Sequence, residues 1–180
     1  DLSKRKLKKL TGPELNGNLG NVINWFQDGK SILAKFVPKD IPKILSAENI
    51  IPNGPTISTN DGKKAQNRTY QDLLKNKNDE RNFETLVNSE LYKVTLKGGK
   101  RLWKKMNMYN NISFSPDGDF VMISIIQKPF SYLVPYYRFP SKNLILSSTG
   151  REIKLLADIP LIEDLPKGFM AVRKGDRSFS

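Results

Sequence analysis

Cysteine and histidine are both absent from the 180 residues. Without cysteine there are no disulfides and no thiolate metal sites. Without histidine, neither a Ser-His-Asp or Cys-His catalytic group nor a histidine-based metal site can be assembled from this chain alone. Long apolar runs are missing too. The longest, Val121 to Ile126, is interrupted by Ser124, so no segment spans a bilayer as a helix. The first residues, "DLSKRKLKKL", lack the apolar stretch of a signal peptide, and nothing in the segment fixes a compartment; an extracytoplasmic (periplasmic or secreted) setting stays open. No G-x-S-x-G elbow, Walker A loop or strand-borne G-x-G-x-x-G occurs. No cofactor is implied.

What is present is charge and turn chemistry. Lysine and arginine number 30 against 18 acids, for a net charge of +12. Such an excess suits nucleic acid or another anionic surface. The lysines cluster at residues 4–9 and 97–105, around expected hairpins and interleaved with leucine or tryptophan, which favours solvated strand faces instead. The working expectation is therefore no nucleic-acid partner, with a basic nucleic-acid-binding β module as a second alternative.

Two hairpins announce themselves. Asp28-Gly29 lies between the β-prone runs of Asn21 to Val37, and Asp117-Gly118 lies between those of Asn111 to Ile126. Glycine accepts positive φ without steric cost, which makes Asp-Gly between apolar runs a strong hairpin signal. The strand after each turn is apolar at nearly every position, as in Phe120, Val121, Met122, Ile123, Ile125 and Ile126, and is expected to be covered on both faces. A second pattern, strand end, polar turn, strand, recurs at Asp1 to Thr11, Thr95 to Lys105 and Ser147 to Ala157.

The two patterns alternate, which is the plan of a repeated four-stranded antiparallel blade. The fold expected is all-β: a partial β-propeller of about two four-stranded antiparallel blades, with a short helical insertion in the first full blade. Residues 1–11 read as the end of one blade and 20–106 as a blade with an insertion at about 38–88. Residues 110–158 read as a second blade and 170–180 as the start of the next. Two blades cannot close a ring, so the chain reads as an excerpt of a longer propeller. The insertion opens with an irregular Pro-, Asn- and Ser-rich stretch, Pro38 to Asn67. A helix is then expected from Thr69 as N-cap, with Tyr70, Leu73 and Leu74 on one face, a break in the apolar-free run Lys75 to Asn82, and a restart toward Phe83, Leu86 and Val87.

One stretch fits no element. "KPFSYLVPYYRFP", Lys128 to Pro140, holds three of the chain's 11 prolines and five of its aromatics. Proline cannot donate to a sheet ladder, yet the stretch is too apolar for an ordinary solvated loop.

That stretch also carries a resemblance. Together with "NRTYQDLLKNKNDERNF", "SPDGDFVMISIIQ", "LADIPLIEDLP" and "VRKGDRS", it is similar to the propeller of the prolyl oligopeptidase family of serine peptidases. The glutamyl endopeptidase branch and related aminopeptidase-like members are nearest in kind. The resemblance runs from about Asn21 to the end. It implies a parent enzyme in which the propeller precedes a C-terminal α/β-hydrolase domain, covers the active site and filters peptide substrates by size. The hydrolase domain and its Ser, Asp and His are absent from this chain, so no catalytic residue is carried over. Gln127 and Lys128 stand where relatives tend to have a His-Arg pair. Arg138, Arg173, Arg177 and Tyr132 are the candidate substrate-binding residues, since arginine forks suit peptide carboxylates. The competing expectation is that these arginines pair with Asp158, Glu163 or Asp164 between blades. A propeller with no hydrolase, serving protein or glycan recognition, is the first alternative function.

Overall fold

The computed structural model describes residues 7–46, 70–163 and 175. They form two four-stranded antiparallel sheets and one helix. The first sheet is ordered β1 (Ile23–Trp25), β2 (Ser31–Phe36), β3 (Ser89–Thr95), β4 (Lys100–Asn107); helix α1 (Lys77–Val87) lies between β2 and β3 in sequence. The second sheet is ordered β5 (Tyr109–Phe114), β6 (Phe120–Ile126), β7 (Ser141–Ser147), β8 (Glu152–Ile159). Each sheet is a plain meander in which sequence neighbours pair. This is the all-β, partial-propeller architecture expected from the alternating turns. No helix among the described residues is long and apolar enough to cross a membrane.

The turns explain the hairpins. The Asp28 carboxylate accepts the N–H of Lys30 at 2.8 Å and of Ser31 at 2.9 Å, closing β1 onto β2. Those hydrogen bonds hold its carboxyl below the usual carboxylate range. Asp117 plays the matching part before β6, accepting from Ser115 Oγ and from the Asp119 N–H. Gly118 has φ +78, and a Cβ there would collide with the Gln27 side chain beside the other turn. Only glycine serves both the turn and the close approach of the two hairpins.

The main core lies between the sheets, where Leu33, Leu91 and Trp103 of the first meet Val121, Ile123 and Leu146 of the second. Trp103 Nε1 donates to the Ser148 carbonyl at 3.0 Å, tying the outer strand of one sheet to the last turn of the other. β2 is buried at all six positions; Ile32, Ala34 and Phe36 on its second face cluster with Val94 and Tyr92 of the neighbouring β3 and with Leu10 from outside the sheet. β6 departs from the expected two-sided cover. Val121, Ile123 and Ile125 are buried against the first sheet, but Met122 and Ser124 are half-buried and Phe120 is exposed. Only one of its faces has a partner sheet among the described residues.

Lys35 is the anomaly of β2. It is 1% exposed, and its ammonium donates to the Leu19 carbonyl, with no ion pair among the described residues. Burial pulls its pKa down from 10.5 to about 8.

The helix begins later than expected. Thr69 lies outside the described residues, and Tyr70 to Lys75 are not helical. Asp72 sits at φ 57, which a right-handed helix cannot contain. The actual cap is Asn76, whose side-chain oxygen accepts the N–H of Asn78 at 2.9 Å and of Asp79 at 3.0 Å. Asp79 and Glu80 in the first turn complement the helix dipole. The polar run read as a break is therefore the body of α1. Residues 7–11, expected to continue a strand pair, hold no strand; Leu15 instead bridges to Phe36, and Val37 donates to the Glu14 carbonyl at 2.8 Å.

Candidate functional site

The proline-aromatic stretch connects β6 to β7. Its base is closed where the Gln127 N–H donates to the Pro140 carbonyl at 2.7 Å. Inside the loop, the Ser131 hydroxyl accepts the N–H of Leu133 at 2.9 Å and of Val134 at 3.3 Å, and donates to Glu163 Oε1 at 2.6 Å. A serine thus organises backbone that its prolines keep out of the ladder. Tyr136–Arg138 form a single 3-10 turn, with the Arg138 N–H donating to the Pro135 carbonyl at 2.9 Å.

The rings divide by side. Phe130, Val134 and Phe139 are buried with Val87 and Met108 in a second core. Phe83 of α1 inserts among them, edge-on to Phe130 at 5.2 Å and to Phe139 at 5.6 Å, while Phe130 and Phe139 stack at 5.2 Å. These are favourable geometries for aromatic pairs. The loop is therefore a plug seated on the helix inserted in the other sheet. Two polar contacts border it: Lys128 Nζ lies 2.7 Å from Glu84 Oε2, and the Tyr132 hydroxyl donates to Glu80 Oε1 at 2.5 Å. That hydrogen bond to a carboxylate pushes the Tyr132 phenol up to about 12 and lowers Glu80. Lys128, standing where the resemblance placed an arginine, is thus engaged with α1.

The opposite side of the loop faces solvent. Tyr132 is 38% exposed, Leu133 65%, Tyr136 42% and Tyr137 62%. Arg138 lies half-buried behind them, its guanidinium carbon 5.9 Å from the Tyr137 ring centroid. Its Nε is buried without a hydrogen-bond partner, and the side chain has no carboxylate partner among the described residues. The expected pairing with Asp158 or Glu163 is not made. Lys142 lies 3.6 Å from Asp158, and Ser131 occupies Glu163. Asp164, the third candidate partner, lies outside the described residues, as do Arg173 and Arg177. Of the four candidate binding residues, then, Tyr132 and Arg138 share one loop.

Sequence reasoning missed Phe83, Glu80 and Glu84 as parts of this site. The signal available was the i, i+4 spacing of Glu80 and Glu84 on a helix capped by Asn76, hidden because the run has so few apolar residues.

The arrangement defines a class: a partial β-propeller with an aromatic loop, half plug and half exposed, at one end of its sheets. No family model matches the chain, and no solved structure matches it. Curated relatives from plants do. The chain is 40% identical over 129 residues to a protein of Oryza sativa subsp. japonica named "Probable glutamyl endopeptidase, chloroplastic", an alignment covering 71% of this chain and 14% of that one. It is 32% identical over 157 residues to an Arabidopsis thaliana protein of the same name, covering 85% and 16%. The chain is thus similar over most of its length to proteins named as peptidases, and spans a small part of theirs.

Proposed function

We propose that this chain is the propeller portion of a serine peptidase of the prolyl oligopeptidase type, covering the active site of a following hydrolase domain and filtering peptide substrates. The chain supplies no catalytic residue in this reading. The observation that carries it is the β6–β7 loop, which holds Tyr132, Leu133, Tyr136 and Tyr137 exposed on a base fastened by three phenylalanines. Ring surface this open suits a mouth or a docking face. A peptide substrate at that mouth is the reading that the relatives' printed name, glutamyl endopeptidase, supports. Arg138, with no anionic partner among the described residues, supports a role in holding a peptide carboxylate there.

Two measurements on the full-length protein separate the parts of this proposal. A fluorophosphonate probe is expected to label a serine outside these 180 residues. Absence of labelling, with no peptide hydrolysis, favours the propeller without hydrolase. Arg138→Ala is expected to raise KM for peptides roughly tenfold with kcat retained, as loss of uniform binding does. Unchanged KM removes Arg138 from the site while leaving the peptidase reading intact.

A further inference from the structure

Helix α1 ends without a basic residue in its last turn, and its final carbonyls need donors from elsewhere. The donors come from far upstream in the chain. The Asn16 amide donates to the Leu86 carbonyl and to the Asn88 carbonyl, each at 2.9 Å, and the Asn18 amide donates to the Leu86 carbonyl at 2.7 Å. The Asn16 side-chain oxygen accepts the Asn18 N–H at 3.0 Å, which holds the two residues in one arrangement. Asn16 is buried. Apolar packing is non-directional, whereas hydrogen bonds weaken steeply with misalignment, so these amides fix where the helix end lies.

The stretch that carries them, Asn16 to Gly20, is fastened on other sides as well. The Asn16 N–H donates to the Lys35 carbonyl of β2 at 2.9 Å, and the Lys35 ammonium donates to the Leu19 carbonyl. The Leu19 side chain is buried in the second core with Val87 of α1 and with Phe130, Val134 and Phe139 of the β6–β7 loop. Gly20 has φ +50, and a Cβ there would collide with the Asn110 carbonyl of β5. One short segment thus touches β2, β5, the end of α1 and the buried side of the loop. The helix in turn holds the loop: Phe83 meets Phe130 and Phe139, Glu80 meets Tyr132, and Glu84 meets Lys128.

We propose that Asn16 to Gly20 form a strap that positions the mouth, with Asn16 its principal positioning residue: by holding the end of α1, it fixes how the β6–β7 loop presents Tyr132 and Arg138 to a peptide. Asn16 acts through the helix and does not itself touch the peptide. The proposal rests on the reading of that loop as peptide-facing and extends it to residues far from the loop in sequence.

The test uses the full-length protein with Asn16→Leu, which keeps much of the side chain's shape and removes its donors and acceptor. Exchange of the hydrogen-bonded loop amides of Leu133, Val134 and Arg138 is expected to speed up roughly tenfold, while the β6 amides keep their protection. KM for peptides is expected to rise roughly threefold or more with kcat retained. In an Arg138→Ala background that rise should vanish, because the strap acts on binding through the same loop. A merely structural role gives the same fold-change in both backgrounds. Asn18→Ala, which removes an exposed side chain and its bond to Leu86, serves if Asn16→Leu does not fold, with the same signs and smaller size. Unchanged loop exchange overturns the strap, and a KM that is unchanged, or that rises equally in both backgrounds, overturns the positioning role. A wild-type protein that hydrolyses no peptide removes the peptidase reading instead, and loop exchange alone then decides the strap.

Discussion

The two sheets have the same strand order and place their longest connection at the same point, between the second and third strands, yet they fill that connection differently. In the first sheet it is long and mostly polar and contains α1; in the second it is short, proline-bound and aromatic. The two meet, because α1 contributes one ring, Phe83, to the pair that the short loop buries. The core beneath them draws on both: Val87 and Phe83 from the helix, Phe130, Val134 and Phe139 from the loop. The polar helix is held by where its few apolar residues land, and the aromatic loop by finding a helix to land on. The second contrast lies in the central strands: β2 is covered on both faces, β6 mainly on one.

The largest effect follows from breaking the junction. Phe139→Ala removes a buried ring that touches both Phe83 and Phe130. It is expected to lower protection of the α1 amides by about 3–5 kcal/mol, read by hydrogen exchange. Exposed Tyr137→Ala should leave them unchanged. The contrast between β2 and β6 gives the next effect. Ile32→Thr buries a hydroxyl on a covered face and should destabilise by about 2–3 kcal/mol, against less than about 1 kcal/mol for Met122→Thr. Equal losses in the full-length protein, measured by thermal unfolding, would mean that another part of the protein covers that face of β6.

Lys35 gives the smallest effect and a distinctive pH dependence. Its folded pKa of about 8 lies below the ordinary 10.5, so between those values the unfolded chain binds more protons than the folded one. Stability from this group therefore rises with pH across that window, and below it the buried charge is a full penalty. Lys35→Met should flatten the pH dependence between about 8 and 10.5 and raise stability at pH 7 by about 1 kcal/mol, the gain being offset by the Leu19 carbonyl left without its donor. An unaltered pH profile would show that the ammonium is solvated.

Much of the fold was legible because its signals are local. Asp28-Gly29 and Asp117-Gly118 mark their turns by chemistry that acts within four residues. The start of the helix is not legible because it depends on Asp72 taking positive φ and on Asn76 closing over two N–H groups, neither of which leaves an apolar period to read. The loop was recognised as unusual from its prolines, and Tyr132 and Arg138 as candidates from their neighbours. What the rings pack against was not legible, since Phe83 is 47 residues before Phe130 and no pattern links them. The expected partners of Arg138 failed for a related reason: Lys142 and Ser131, nearer in space, take those carboxylates first.

The most direct test of the account is a double-mutant cycle between Phe83 and Phe139 in the full-length protein, read as hydrogen-exchange protection of α1. If the two connections form one packed body, the variants Phe83→Ala and Phe139→Ala couple by roughly 0.5–3 kcal/mol. Strictly additive losses would contradict the account, for they would mean that helix and loop stand independently.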